Sequence, residues 1–408
     1  MPAHSLRILA AAAAVLLLAA CGTGSADQGA SSTDNGAAQE QAPAPALHAT
    51  HGTPPPPGPL RAGERFVALT MPRPYRPEPP PRSTDEYRCF LVDPQLTAPA
   101  FITGSQFLPQ NAEIVHHAIL FRVAPGDVAQ ARTLDADAPG DGWTCFGGTG
   151  IATGGGRLSR LDEGAAWIAA WAPGGGEAVL RKGTGYRMEP GSQIVMQVHY
   201  SLLALDGRPP GADRSGVRLR MTGDVPGTRE LQAKLLVAPV ELPCAPGEKG
   251  QLCDRDWAVL DVWSRFGEHA GGTVAGLNLL CNEGGAPRAG PTQSCDSTVR
   301  QAGTVYAVAG HMHLLGRSIK VELNPGTAKA RTLLDVPVYD FDDQGARPLA
   351  TPLRIKRGDV LRVTCTHDAT LRAKLPALRD LPPRYVVWGE GTSDEMCLGV
   401  VTWSPDKA

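Results

Sequence analysis

The sequence predicts an all-β protein of two sandwich-type domains side by side, and three observations lead there. Turn formers are dense, with 47 Gly and 37 Pro among 408 residues, while aromatics are only 5%. Short apolar runs alternate with turn clusters along most of the chain. No long helical stripe interrupts them. Many short strands bounded by turn residues build sandwiches or barrels. With 42% hydrophobic residues, a chain of 408 exceeds one ordinary core and suits two.

Residues 1–20 read as a lipoprotein signal peptide. His4 and Arg7 give a weakly basic start, and Ile8 to Ala20 is wholly apolar. That run is short for a membrane span but suits a signal core. It ends in Leu18-Ala19-Ala20-Cys21, similar to the bacterial lipobox, in which the cysteine is acylated and becomes the mature N-terminus. An ordinary signal peptide with an incidental cysteine is the alternative. The expected location is the bacterial cell envelope, extracytoplasmic, with the membrane reached through a lipid on Cys21.

Residues 21–63 are Ala-, Gly-, Ser-, Gln- and Pro-rich and end around Pro54 to Pro57, without apolar periodicity. They are expected to form a disordered tether, stiffer at its Pro-rich end. His48 and His51 lie in it without a specific role. The first domain is expected over 64–226, with strand-like runs at Arg65 to Met71, Ile114 to Val123, Gln193 to Leu202 and Val217 to Met221. The second is expected over 227–404, with runs at Leu231 to Val237, Thr304 to Val308, Ser318 to Leu323, Val360 to Thr366 and Val400 to Trp403. Glu268 to Ser297, rich in Gly and Pro and carrying two cysteines, reads as a stapled loop.

A net charge of −2 draws the protein to neither nucleic acid nor an acidic surface. Setting Cys21 aside leaves eight cysteines, and an even number in an exported chain implies disulfides. None lies in a C-x-x-C pair, which disfavours zinc ribbons and thioredoxin-type redox chemistry.

The histidines carry the chemistry. His311 and His313 form an H-x-H pair after an apolar strand, and residues two apart on a strand face the same way, so both imidazoles can reach one ion. In Gln193 to Tyr200, Ile194, Met196, Val198 and Tyr200 share one face. His199 lies on the other, more polar face with Val195 and Gln197, which suits a ligand opening onto a cleft. His116 and His117 are adjacent, so a regular strand would point them to opposite sides. Serving one metal together requires a bulge or a strand end. Met396 is a soft, neutral thioether, which favours Cu(I) over Zn²⁺, Mg²⁺ or Ca²⁺. His367 and His269 join neither group and read as non-ligands.

Together these segments resemble the copper type II, ascorbate-dependent monooxygenases. The matching stretches are Val115 to Phe121, Val195 to Tyr200, His311 to Gly316 and Thr392 to Cys397, in the family's order, and the resemblance covers about Tyr87 to Trp403. It implies two jelly-roll-like sandwiches facing a solvent-filled gap. It implies two copper ions per chain: one on His116, His117 and His199, the other, where O₂ is activated, on His311, His313 and Met396. Gln197 matches a glutamine beside the first site and Tyr87 a tyrosine near the copper relay, which implies a catalytic role for both beside His311, His313 and Met396, and Cys89–Cys145 and Cys365–Cys397 match family disulfides. The pairing of Cys244, Cys253, Cys281 and Cys295 stays open, with Cys244–Cys253 and Cys281–Cys295 as the guess.

The chain departs from the peptide-hydroxylating members at three polar substrate contacts. Ala309, Leu398 and Val400 stand where those enzymes carry an arginine, an asparagine and a tyrosine. Without the guanidinium, preference for a carboxylate should be lost. The function expected is hydroxylation of a C–H bond of a small molecule that is not anchored by a carboxylate. It would use O₂ and an external reductant, ascorbate or another donor. The alternative is a non-enzymatic copper-binding or electron-transfer lipoprotein of the envelope.

Overall fold

The computed structural model describes residues 54–152, 167–205 and 207–407. The signal segment, Cys21, His4, His48, His51 and the tether up to residue 53 lie outside the described residues. Within them the chain folds as two β-sandwiches, each with its own core.

In the first, a six-stranded sheet runs Glu64–Thr70, Gly216–Gly223, Ala100–Leu108, Thr184–Met188 and Arg229–Glu230, with Ala178–Val179 beside Ala100–Leu108. It faces a five-stranded sheet ordered Trp143–Thr144, Asp85–Val92, Gln193–Ser201, Val115–Val123 and Trp167–Trp171. Alternation along Gln193–Ser201 sends Ile194, Met196, Val198 and Tyr200 into the core, against Ile102, Leu219 and Met221 of the other sheet. The opposite face is not an open one. Val195 joins a second apolar cluster with Tyr87, Cys89, Trp143 and Cys145, and all nine residues of the strand are buried.

The second sandwich packs two four-stranded sheets. One is ordered Gln232–Val237, Leu398–Pro405, Gly303–His311 and Arg347–Ile355; the other Thr292–Thr298, Val360–His367, Gly316–Leu323 and Arg331–Val336. Val305 and Val401 from the first meet Ile319, Val321 and Val363 from the second. Cys365–Cys397 joins a strand of one sheet to the entry of a strand of the other, next to Met396. Cys89–Cys145, Cys244–Cys253 and Cys281–Cys295 complete four disulfides.

Two features differ from the sequence reading. Residues 255–281 are helical: Arg255–Phe266 and Glu268–Cys281, broken at Gly267, whose φ of 83° suits glycine. Asp254 caps the first helix, accepting from the backbone N–H groups of Asp256 and Trp257. Ala258, Val262, Arg265 and Phe266 form its buried face. Gly271, Gly272 and Gly276 disfavour the second helix in the sequence; packing of Ala270, Val274 and Leu277 holds it despite poor propensity. Only the segment after it, up to Cys295, is stapled.

The Pro-rich end of the expected tether is also held. Arg220, 1% exposed, donates to the carbonyls of Gly58 and Pro59 and pairs with Glu64 and Glu177. A buried guanidinium needs acceptors on every side, and this one takes them from the incoming chain.

Candidate metal centre

The two adjacent histidines come together through a bulge. Val115 pairs with Tyr200 and His117 with His199, so one strand advances two residues while its partner advances one. The extra residue is His116, and the kink brings both side chains to the same side. The Nδ1 atoms of His116, His117 and His199 all lie 3.2 Å from one another. The centre of such a triangle is about 1.8 Å from each corner, just short of the ~2.0 Å metal–imidazole bond length. His116, His117 and His199 would therefore suit one shared metal ion.

The remaining ring atoms fix that presentation. His199 donates from Nε2 to the carboxylate of Asp85 at 2.9 Å, so its proton sits on Nε2 and its lone pair on Nδ1. The Tyr87 ring stacks on His199 at 4.2 Å and 9°, and its hydroxyl donates to the Glu390 carbonyl. Burial, then repulsion from the neighbouring imidazoles, pushes His117 well below the ordinary histidine range. Burial also lowers His199, against the opposing effect of Asp85. Near neutral pH these rings are uncharged and carry lone pairs. For Asp85, burial pushes the carboxyl up, but its bonds to His199 and Thr392 outweigh that and hold it below the usual range.

His311 and His313 lie with ring centroids 5.1 Å apart. His313 Nδ1 donates to the Asp394 carbonyl, and His311 Nδ1 to the Gln344 side-chain oxygen. Each bond leaves Nε2 as the free donor atom, and His313 Nε2 is buried without a hydrogen-bond partner. An orphaned, buried lone pair is what a soft metal ion would satisfy. Burial, then His313, holds His311 down at about 3. Glu395 accepts from the backbone N–H groups of His313 and Leu315, and His367 sits between Glu395 and the Met396 carbonyl. Met396 lies two residues before Leu398, the cross-strand partner of His311. Met396 itself is buried.

The two sets adjoin. The rings of His117 and His311 are 5.6 Å apart, and Phe341 stacks on His116 at 4.6 Å. The solvent-filled gap implied by the resemblance is therefore closed here. The stretch carrying Phe341 and Gln344 touches both sets, and a Cβ on Gly174 would lie 2.6 Å from the Asp342 carbonyl. Gln197 lies on the strand that carries His199. Its amide donates to the carbonyls of Cys145 and Gly148 and holds that loop. Asp85, Gln344, Phe341 and Thr392 were missed by sequence reading, since none lies within a recognisable ligand spacing.

Ala309 pairs across the sheet with Val400, and His311 with Leu398. Cross-strand partners share a face. The three apolar replacements thus form one patch on the face that carries His311, while the next residue, Gly310, faces Ile319 and Leu334 of the core.

Among known proteins, residues 291–406 match the family model described as "Copper type II ascorbate-dependent monooxygenase, C-terminal domain". No curated protein matches the chain. Among solved structures, an allantoicase is 12% identical over 84% of this chain and 90% of its own, with a TM-score of 0.18. The coconut allergen cocosin is 10% identical over 84% and 86%, with a TM-score of 0.16. Likenesses at that level carry no weight for fold or function.

Proposed function

We propose, from the premise that this chain belongs to the copper type II ascorbate-dependent monooxygenase family through residues 291–406, that it hydroxylates a C–H bond of a small, neutral or apolar molecule. The reaction inserts one atom of O₂, reduces the other to water and takes two electrons from ascorbate or another external donor. Two copper ions per chain are proposed, one on His116, His117 and His199 and one on His311, His313 and Met396. The observation that carries this reading is the convergence of three imidazole Nδ1 atoms at mutual distances of 3.2 Å.

Bound copper supplies the one-electron steps and the activation of O₂. The chain's own residues do the rest. Asp85, Gln344 and the Asp394 carbonyl hold ring protons on the far nitrogens, so the opposite lone pairs point inward. The Met396 thioether favours the reduced ion. Burial of His116, His117, His199, His313 and Met396 limits the water that would otherwise compete for the reacting centre. The patch of Ala309, Leu398 and Val400 offers contact area and no charge, which supports a substrate that is not held by a carboxylate. The lipobox-like Leu18 to Cys21 supports acylation at Cys21 and an extracytoplasmic, membrane-tethered location.

Metal analysis is expected to return two coppers per chain, and an oxygen electrode reductant-dependent uptake with a suitable substrate. Extracts of cells with and without the protein should differ by a product heavier by one oxygen. Met396→Ile should keep copper on the first set and abolish turnover. Full activity in that variant would overturn the assignment of the O₂ site. Copper binding with no O₂ uptake and no such product would favour the carrier or electron-transfer reading.

A further inference from the structure

We propose that Asp85 and Thr392 are positioning residues for the first histidine set, and that the segment Gly389 to Met396 ties the two sets together mechanically. The inference rests on the copper reading above and goes beyond it.

His199 has two ring nitrogens and only one can face the metal. Its Nε2 lies 2.9 Å from the Asp85 carboxylate, with His199 wholly buried and Asp85 1% exposed. That bond decides which nitrogen keeps its lone pair, because water cannot reach the ring to offer an alternative. Asp85 does not stand unaided. The Thr392 hydroxyl donates to the same oxygen at 2.5 Å and lies 3.3 Å from the Ser201 hydroxyl. Thr84 donates to the other oxygen. Thr392 is 307 residues further along the chain and belongs to the second sandwich's segment. The first set is thus oriented by a hydroxyl delivered from the other half of the molecule.

The same short segment serves the second set. The Glu390 carbonyl accepts from Tyr87, which stacks on His199. The Asp394 carbonyl accepts from His313 Nδ1, and the Glu395 carboxylate holds the His313 backbone. Met396 follows directly. The segment is braced: Arg265 grips the Asp394 carboxylate with two bonds, 2.8 and 2.6 Å, and Gly391 N–H donates to it. At Gly389 a Cβ would lie 2.7 Å from Asp394, so the fit allows only glycine there. A rigid strut touching both sets transmits displacement from one to the other.

The test uses the full chain, with copper alone as probe. Copper(I) affinity is measured by competition with a chromophoric chelator, and the copper(II) spectrum by electron paramagnetic resonance. Asp85→Asn and Thr392→Val should weaken one of the two coppers about 10–100-fold, the range seen when a ligand's supporting group is lost. They should also shift the spectrum of that copper. Thr392→Ser keeps the hydroxyl and should restore affinity to within about twofold of wild type. In metal-free protein, the downfield imidazole N–H resonance of His199 should be present in wild type and Thr392→Ser and lost in Asp85→Asn. Unchanged affinity and spectrum in Thr392→Val would overturn the proposal, as would equal losses in the Ser and Val variants. Should wild type take up no copper, the copper reading fails, and the imidazole resonance still decides the role of Asp85.

Discussion

Replacing Glu390 by Gln should stabilise the protein in alkaline solution and leave it unchanged in acid. Glu390 is 8% exposed, and its carboxyl lies near Gly147 and His269. Burial, then the charge of Asp394, raises it from 4.5 to about 7. Well below pH 4.5 the side chain is protonated in both folded and unfolded chains, so it adds no pH-dependent contribution, and at pH 4.5 itself only about 0.4 kcal/mol remains. Between 4.5 and 7 the folded chain keeps a proton that the unfolded chain has lost, so stability falls as pH rises. Above 7 the full penalty is present. The rise from 4.5 to about 7 is about 2.5 units, and at ~1.4 kcal/mol per unit the penalty is on the order of 3 kcal/mol. Glutamine cannot ionise and escapes it. Urea denaturation of wild type and Glu390→Gln, at pH 4.5 and at pH 8, isolates this group because all other titrations are shared. The variant should match wild type at the lower pH and exceed it by up to ~3 kcal/mol at the higher. Equal differences at both pH values would refute the reasoning.

Other outcomes follow from the same geometry. Arg220→Met strands Glu64 and Glu177 and frees residues 54–63, and should cost about 3–5 kcal/mol by denaturant unfolding, with faster proteolysis near Pro55 to Gly58. Wild-type stability would show that the buried guanidinium is dispensable. Ala309→Arg puts a guanidinium on the face that carries His311, and should tighten binding of a carboxylate-terminated peptide about tenfold by calorimetry. No change would mean that the patch does not border the substrate.

The sequence by itself determined the fold class and the kinds of donor available. Period-two runs and dense turn residues can bury themselves only as paired sheets, and that is how they fold. The spacing His311-x-His313 needs only strand geometry to put two imidazoles on one side. The adjacency of His116 and His117 was enough to demand a bulge or a strand end if both serve one metal, because regular pairing would have separated them, and the ladder slips by one residue at that place. Local pattern failed where contacts are distant. The Gly-rich helix Glu268–Cys281 exists because other elements cover its apolar face. The Pro-rich segment after residue 53 is held because Arg220, far along the chain, needs acceptors.

Only the tertiary structure decided how the donors are arranged. Asp85 reaches His199 from a neighbouring strand, and Thr392 reaches Asp85 across 307 positions. Gln344 and Phe341 arrive on a loop between strands whose own pattern says nothing about histidines. Gln197 gives its amide to the carbonyls of Cys145 and Gly148, in a loop that its own strand does not announce. The physical reason is common to all five residues. A side chain's type and its neighbours in sequence set which bonds it can make, while the partner it meets depends on how two sandwiches close against each other.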